Sequence, residues 1–117
     1  MLSLTNNLQI YLCTAPTDMR KSFDGLSGLV ASVMNKDLLS GHLFLFLNRR
    51  RDRIKLMYWD RDGLAIWYKR LEAGTFEVPS AKADQSHLEL DVTELALVLN
   101  GVSLVSAKRR KRYAIAG

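Results

Sequence analysis

Residues 49–70 read RRRDRIKLMYWDRDGLAIWYKR, a stretch in which cations alternate with aromatic rings. Arg49, Arg50, Arg51, Arg53, Lys55 and Lys69 supply positive charge, and Tyr58, Trp59, Trp67 and Tyr68 supply π faces. Arginine and lysine neutralise phosphates and release their counterions, which makes binding salt-dependent. Indole rings stack on bases with little regard to sequence. These residue types, so interleaved, point to a nucleic acid: the six cations on phosphates, with Trp59 and Trp67 stacking or packing beside them. Arg20 and Lys21, in TDMRK (17–21), add two more candidate contacts. The bland alternative is a hairpin whose cations face water and whose indoles cover the core.

Other chemistries find less support. One Cys and two His (His42, His87) cannot build a Cys/His zinc cluster. Asp60, Asp62 and Glu72 could hold a divalent cation for strand cleavage, but Asp and Gly in DRDG suit a turn equally well. The chain has no G-x-x-x-x-G-K-[ST] loop, no G-x-G-x-x-G and no nucleophile elbow. The lack of these signatures weighs a little against an enzyme, and the expectation is a non-enzymatic protein without a metal or cofactor.

At 117 residues and 48% hydrophobic, the chain suits one compact domain with a real core. The net charge of +5 favours polyanionic partners. Ten of the seventeen basic residues fall in two blocks, 49–55 and 108–112. No apolar run is long enough to span a membrane. The first residues lack the pattern of a signal peptide, and Cys13 has no second cysteine to pair with. Cytoplasmic residence is the expectation.

The candidate residues must be positioned by elements that the pattern also indicates. QIYLCT (9–14) is β-rich and ends at Pro16. Phe23, Leu26, Leu29, Val30, Val33 and Met34 recur at helical spacing, so a helix starts between Thr17 and Ser22. Asp18 is a candidate cap, which would put Arg20 and Lys21 in the first turn, against the helix dipole. Gly25 and Gly28 suggest close approach of that helix to a sheet. HLFLFL (42–47) is apolar on both faces and belongs centrally in the sheet.

RIKLMYW (53–59) and LAIWYKR (64–70) pair as a hairpin. A type I turn with a G1 bulge at Gly63 would set Asp60 opposite Leu64 and Lys55 opposite Lys69. Lys55, Met57, Trp59, Ala65, Trp67 and Lys69 would then share one face. FEV (76–78) and HLEL (87–90) are candidate strands. DVTELALVLNG (91–101) is a helix with Asp91 and Glu94 as a capping box and Gly101 as its stop.

PTDMRKSFDGLSGLV (16–30), SGHLFLFLNRRRDRIKLMYWDRDGLAIWYKRLEAGTFEVP (40–79) and LDVTELALVLNGV (90–102) together resemble the TnpB-type, or Orf2-like, accessory protein of the insertion-sequence-66 family of bacterial mobile elements. The resemblance covers about residues 9–102. Val78 departs from it, since the family more often has Trp before that proline. The resemblance implies a protein encoded within a transposable element, beside a separate DDE-type transposase that cuts and joins DNA. It carries no catalytic residues to transfer.

The combined expectation is an α+β fold. Residues 1–8 form a lead-in, residues 9–105 a single domain, and residues 106–117 a basic tail. The domain is an antiparallel meander of four to six strands with an N-terminal and a short C-terminal helix on one face. The expected function is a non-enzymatic accessory role in transposition. It would act on element DNA with low sequence specificity, on the transposase, or on both, and a second copy of the chain is a further candidate partner. A pure protein adaptor and a metal-dependent nuclease are the competing readings.

Overall fold

The computed structural model describes residues 8–80 and 84–100. Five strands and two helices follow in the order β1 (Ile10–Cys13), α1 (Phe23–Ser32), β2 (Leu43–Leu47), β3 (Arg53–Asp60), β4 (Gly63–Arg70), β5 (His87–Leu90) and α2 (Val92–Asn100). The strands form one sheet in the order β4-β3-β2-β1-β5. The α+β class holds, and β2 takes the central place that its two apolar faces require.

Alternation along the strands decides the layers. Ile10, Leu12, Leu43, Leu45, Leu47, Ile54 and Leu56 point to one side, where Leu95 and Val98 of α2 and Phe76 cover them. Tyr11, Cys13, Phe44, Phe46 and Met57 point to the other, beneath Leu26 and Val30 of α1 and Met34 just beyond it. Each such side chain taken fully out of water contributes roughly 1.5–3 kcal/mol. The two helices thus lie on opposite faces, not on one. A strand apolar on both sides demands this: with both helices on one side, the inward residues of the other side would face water.

The sheet is also mixed rather than a pure meander. β2, β3 and β4 are antiparallel neighbours, but β1 runs parallel to β2 and antiparallel to β5. The parallel step follows from α1, because a crossover helix returns the chain in the same direction. FEV (76–78) is not a strand, although Phe76 is buried and its N–H donates to the Arg51 carbonyl at 2.7 Å.

Local signals at the helix ends fare unequally. Asp91 and Glu94 form the expected reciprocal cap: the Glu94 N–H donates to Asp91 Oδ1 at 2.7 Å, and the Asp91 N–H to Glu94 Oε1 at 3.1 Å. Gly101, residues 1–7 and the basic tail lie outside the described residues. Helix α1 begins at Phe23 with Ser22 as N-cap, so Asp18 does not cap it and Arg20 and Lys21 precede it. Gly25 accommodates the Lys21 side chain, whose Cβ would lie 3.0 Å from an added Cβ, and nothing crowds Gly28. Neither glycine serves close approach to the sheet.

The β3–β4 turn differs by one residue from expectation. Asp60 pairs with Gly63, leaving Arg61 and Asp62 as a two-residue loop. Arg61 sits at φ 56, the left-handed region that L side chains enter at a cost. Arg61→Gly is expected to raise stability by about 0.5–1 kcal/mol, after the entropy that glycine loses on folding. Urea denaturation followed by circular dichroism checks it; a drop in the midpoint would show that the turn is unstrained.

Candidate nucleic-acid interface

The shorter turn reassigns the faces of the hairpin, because a one-residue slip moves every side chain of one strand to the other side. Lys55 stands opposite Tyr68, Trp59 opposite Leu64, Leu56 opposite Trp67 and Ile54 opposite Lys69. Trp59 and Lys55 therefore share the α1 face, and Trp67 and Lys69 share the α2 face. The expected single face carrying both indoles and both lysines does not exist. Trp67 is 42% exposed. Trp59 is partly covered and donates its Nε1–H to the Arg61 carbonyl at 3.1 Å, at the turn. Trp59 lies six positions beyond Arg53 on β3, about 20 Å along a strand, so it is remote from the arginine cluster.

Lys55 is the clearest correction. It is 7% exposed, and its ammonium donates to the carbonyls of Met19 at 2.8 Å and Lys21 at 2.7 Å. The centre of the Tyr68 ring lies 4.8 Å from its nitrogen. A charge so engaged is not offered to a phosphate. It fastens the 15–22 segment over the ends of β2 and β3, assisted by the Thr17 N–H, which donates to the Leu47 carbonyl at 2.8 Å. The expected repulsion between Lys55 and Lys69 disappears because the sheet separates them.

The loop after β2 holds its three arginines by a different device. Asn48 accepts at Oδ1 from the N–H groups of Asp52 (3.1 Å) and Arg53 (3.0 Å). It donates from Nδ2 to Asp52 Oδ1 at 2.6 Å. Its carbonyl accepts the Arg51 N–H at 3.1 Å, and Arg51 closes the turn at φ 59. The Asp52 carbonyl accepts the Leu71 N–H at 2.7 Å, which ties the loop to the chain leaving β4. The backbone is thereby fixed while Arg49, Arg50 and Arg51 project into solvent.

Three carboxylates at this end of the sheet are already engaged. Asp52 is held by Asn48. Glu72 binds Arg70 at 2.8 Å. Asp18 binds Arg20 at 2.6 Å and accepts the Arg20 N–H at 2.9 Å. The Arg20 side chain, then its backbone N–H, lowers the Asp18 carboxyl to about 2. No salt bridge involves Arg49, Arg50, Arg51 or Arg53 among the described residues. Arg53, half-buried, donates to the Tyr68 hydroxyl at 3.2 Å.

Between the two segments runs a groove of about 470 Å³, lined by Thr17, Asp18, Asn48, Arg49, Arg50 and Arg53 among others. Across Arg49 a second hollow of about 220 Å³ is lined by Leu12, Leu47, Val78 and Pro79. The fold thus brings Arg49, Arg50 and Arg53 onto one groove with Asp18, which holds Arg20, while Arg51 lines the adjoining hollow and Lys21 lines neither. Lys69 belongs to the far side of β4, and Lys55 is withdrawn into the structure. Asn48 and Thr17 build this surface although charge and ring counting passes over them, and Tyr68 joins it by accepting from Arg53. The N-R-R-R-D spacing carries a usable signal, since Asn and Asp bond to nearby backbone and close short loops.

The carboxylates proposed for a metal do not meet. Asp60 and Asp62 occupy the turn before β4, while Glu72 follows its far end, about 25 Å away for an eight-residue strand. The nuclease reading loses its ligand set.

Two outcomes follow from this geometry. Lys55→Met leaves two inward carbonyls without their donor and should lower stability by about 1–3 kcal/mol, with faster amide exchange at 17–22. A variant as stable as the parent would show the tether to be idle. Because its folded pKa is depressed, Asp18 adds to stability above its ordinary 3.8, and that contribution fades as pH falls through about 2. Carboxyl NMR should place the Asp18 midpoint near 2 in the parent and back toward 3.8 in Arg20→Ala. Equal midpoints would mean that the pair does not form in solution.

Comparison with known proteins agrees with this architecture in extent. The family described as IS66 Orf2 like protein matches residues 8–109. Two proteins of Sinorhizobium fredii (strain NBRC 101917 / NGR234) are similar along most of their length. Uncharacterized protein y4jC is 33% identical over 94% of this chain and 92% of its own. Uncharacterized protein y4hO is 31% identical over 87% of each. No solved structure matches the chain. A match from the start of β1 through α2 and beyond leaves one assignment: the chain belongs to the IS66 Orf2-like family, and is an accessory protein of an insertion sequence.

Proposed function

We propose that the protein assists transposition by holding element DNA through its phosphates, without catalysing strand chemistry. The observation that carries this reading is the Asn48-locked loop. Three arginines sit on a fixed backbone, and Asp18, Asp52 and Glu72 nearby each hold another partner. An already ordered loop backbone has no ordering cost left to meet on engaging a phosphate chain, and planar guanidinium forks match its oxygens in pairs. The groove toward Thr17 gives the backbone a path between the loop and the 16–19 segment. Phosphate contacts position a nucleic acid without reading its sequence, so little base preference is expected. The cutting and joining would belong to the element's DDE-type transposase, with this chain arranging the DNA for it.

The indoles have a smaller part here than the cations. Neither Trp59 nor Trp67 neighbours the arginine loop, so stacking beside bound phosphates is not the source of affinity. An adaptor reading, in which the exposed Trp67 and Tyr68 hold the transposase, makes a different demand: tight complex formation with the transposase and negligible affinity for DNA.

A salt titration of binding to element-end DNA separates them. Affinity should fall steeply with salt. Arg49/Arg50/Arg51→Ala should flatten the log–log slope by about 2–3, at roughly 0.9 for each phosphate no longer neutralised. Lys69→Ala, on the other side of the sheet, should leave the slope unchanged. A weak, salt-insensitive association in the parent protein would sink the DNA reading.

A further inference from the structure

Strand β4 ends the sheet, and among the described residues no strand lies beyond it. It is eight residues long, has no proline, and bears the exposed rings of Trp67 and Tyr68. Long, unbulged edges of this kind pair with other strands unless something blocks them. The hydrogen-bond phase can be read from the turn. In a two-residue hairpin the residues flanking the loop exchange both bonds, so Gly63, Ala65, Trp67 and Lys69 bond inward to β3. The Leu71 N–H donating to the Asp52 carbonyl continues that phase. Leu64, Ile66, Tyr68 and Arg70 therefore turn their N–H and C=O groups outward.

We propose that two copies of the chain join through β4, antiparallel about a two-fold axis at Ile66, into one continuous ten-stranded sheet. Charge selects both the occupant and the register. One end of β4 is the turn with Asp60 and Asp62; the other carries Lys69 and Arg70. An antiparallel copy sets each basic end against the acidic turn of the other. Glu72 already holds Arg70, whereas Lys69 has no salt bridge among the described residues and Asp60 only a 3.9 Å contact with Arg61.

With Ile66 opposite itself, Leu64 faces Tyr68, Ala65 faces Trp67, and Asp62 faces Arg70. Even-numbered residues meet even-numbered ones, so each face of one sheet continues into the same face of the other. Trp67 is then covered by Ala65 and by the diagonal Trp67 of the second copy. A parallel arrangement would stack Lys69 on Lys69 and Asp62 on Asp62.

Cross-linking tests the register directly and requires no nucleic acid. Facing residues that exchange hydrogen bonds lie about 5.5 Å apart at Cα, within reach of a disulfide. Ile66→Cys should give a covalent dimer under mild oxidation. Leu64→Cys, whose twin lies about 13 Å along the strand, should not. Light scattering should show a dimer for the parent. Ile66→Pro removes an outward N–H without breaking the β3 ladder, and should be a folded monomer by circular dichroism. A parent protein that stays monomeric up to its solubility limit overturns the proposal. So does Leu64→Cys linking as fast as Ile66→Cys, or a dimer that Ile66→Pro leaves intact.

Discussion

The structure turns on one buried ammonium. Lys55 enters a largely apolar surround, where an isolated charge is strongly disfavoured. It is tolerated because two carbonyls and an aromatic face receive it. Those carbonyls belong to a segment without regular structure, between β1 and α1. The bond pair therefore fixes where that segment crosses the sheet, and so where α1 starts and which side of the groove Thr17 and Asp18 occupy. Without it, the loop arginines would keep their Asn48 scaffold but lose the opposing wall.

The cations divide according to what surrounds them rather than by their spacing. Arg20 and Arg70 are neutralised by carboxylates two residues away. Lys55 is structural. Arg49, Arg50 and Arg51 remain without salt bridges among the described residues, because the one acid in their loop, Asp52, is turned toward Asn48. A loop can present concentrated charge in this way without unravelling: the backbone is held by amide chemistry that does not depend on ionic strength.

Much of this is legible in the chain, and the exceptions have physical causes. The α+β class, the central place of LFLFL and the Asp91–Glu94 cap follow from alternation and capping chemistry that act over a few residues. The hairpin register does not follow, because DRDG is compatible with turns of two or three residues. That single ambiguity exchanges the faces of Trp67 and Lys69 relative to Trp59 and Lys55. Helix placement is hidden for a related reason. Two apolar faces on β2 indicate a central strand, but the corollary that each side needs its own helix concerns elements distant in the chain. The site is visible as RRR but not as a groove, since its second wall depends on a contact between Lys55 and residues 36 and 34 positions earlier.

The position of β1 has a consequence for how the sheet assembles. β2, β3 and β4 close on one another through short connections, whereas Ile10 meets Leu90 from nearly the opposite end of the described chain. Loop-closure entropy rises with the logarithm of the separation. The meander can therefore gather first, with its arginine loop in place. The slot between β2 and β5 then waits for a strand synthesised early to meet one synthesised late. On a ribosome, β1 would emerge long before its antiparallel neighbour exists, with only the parallel side of its ladder to hold it.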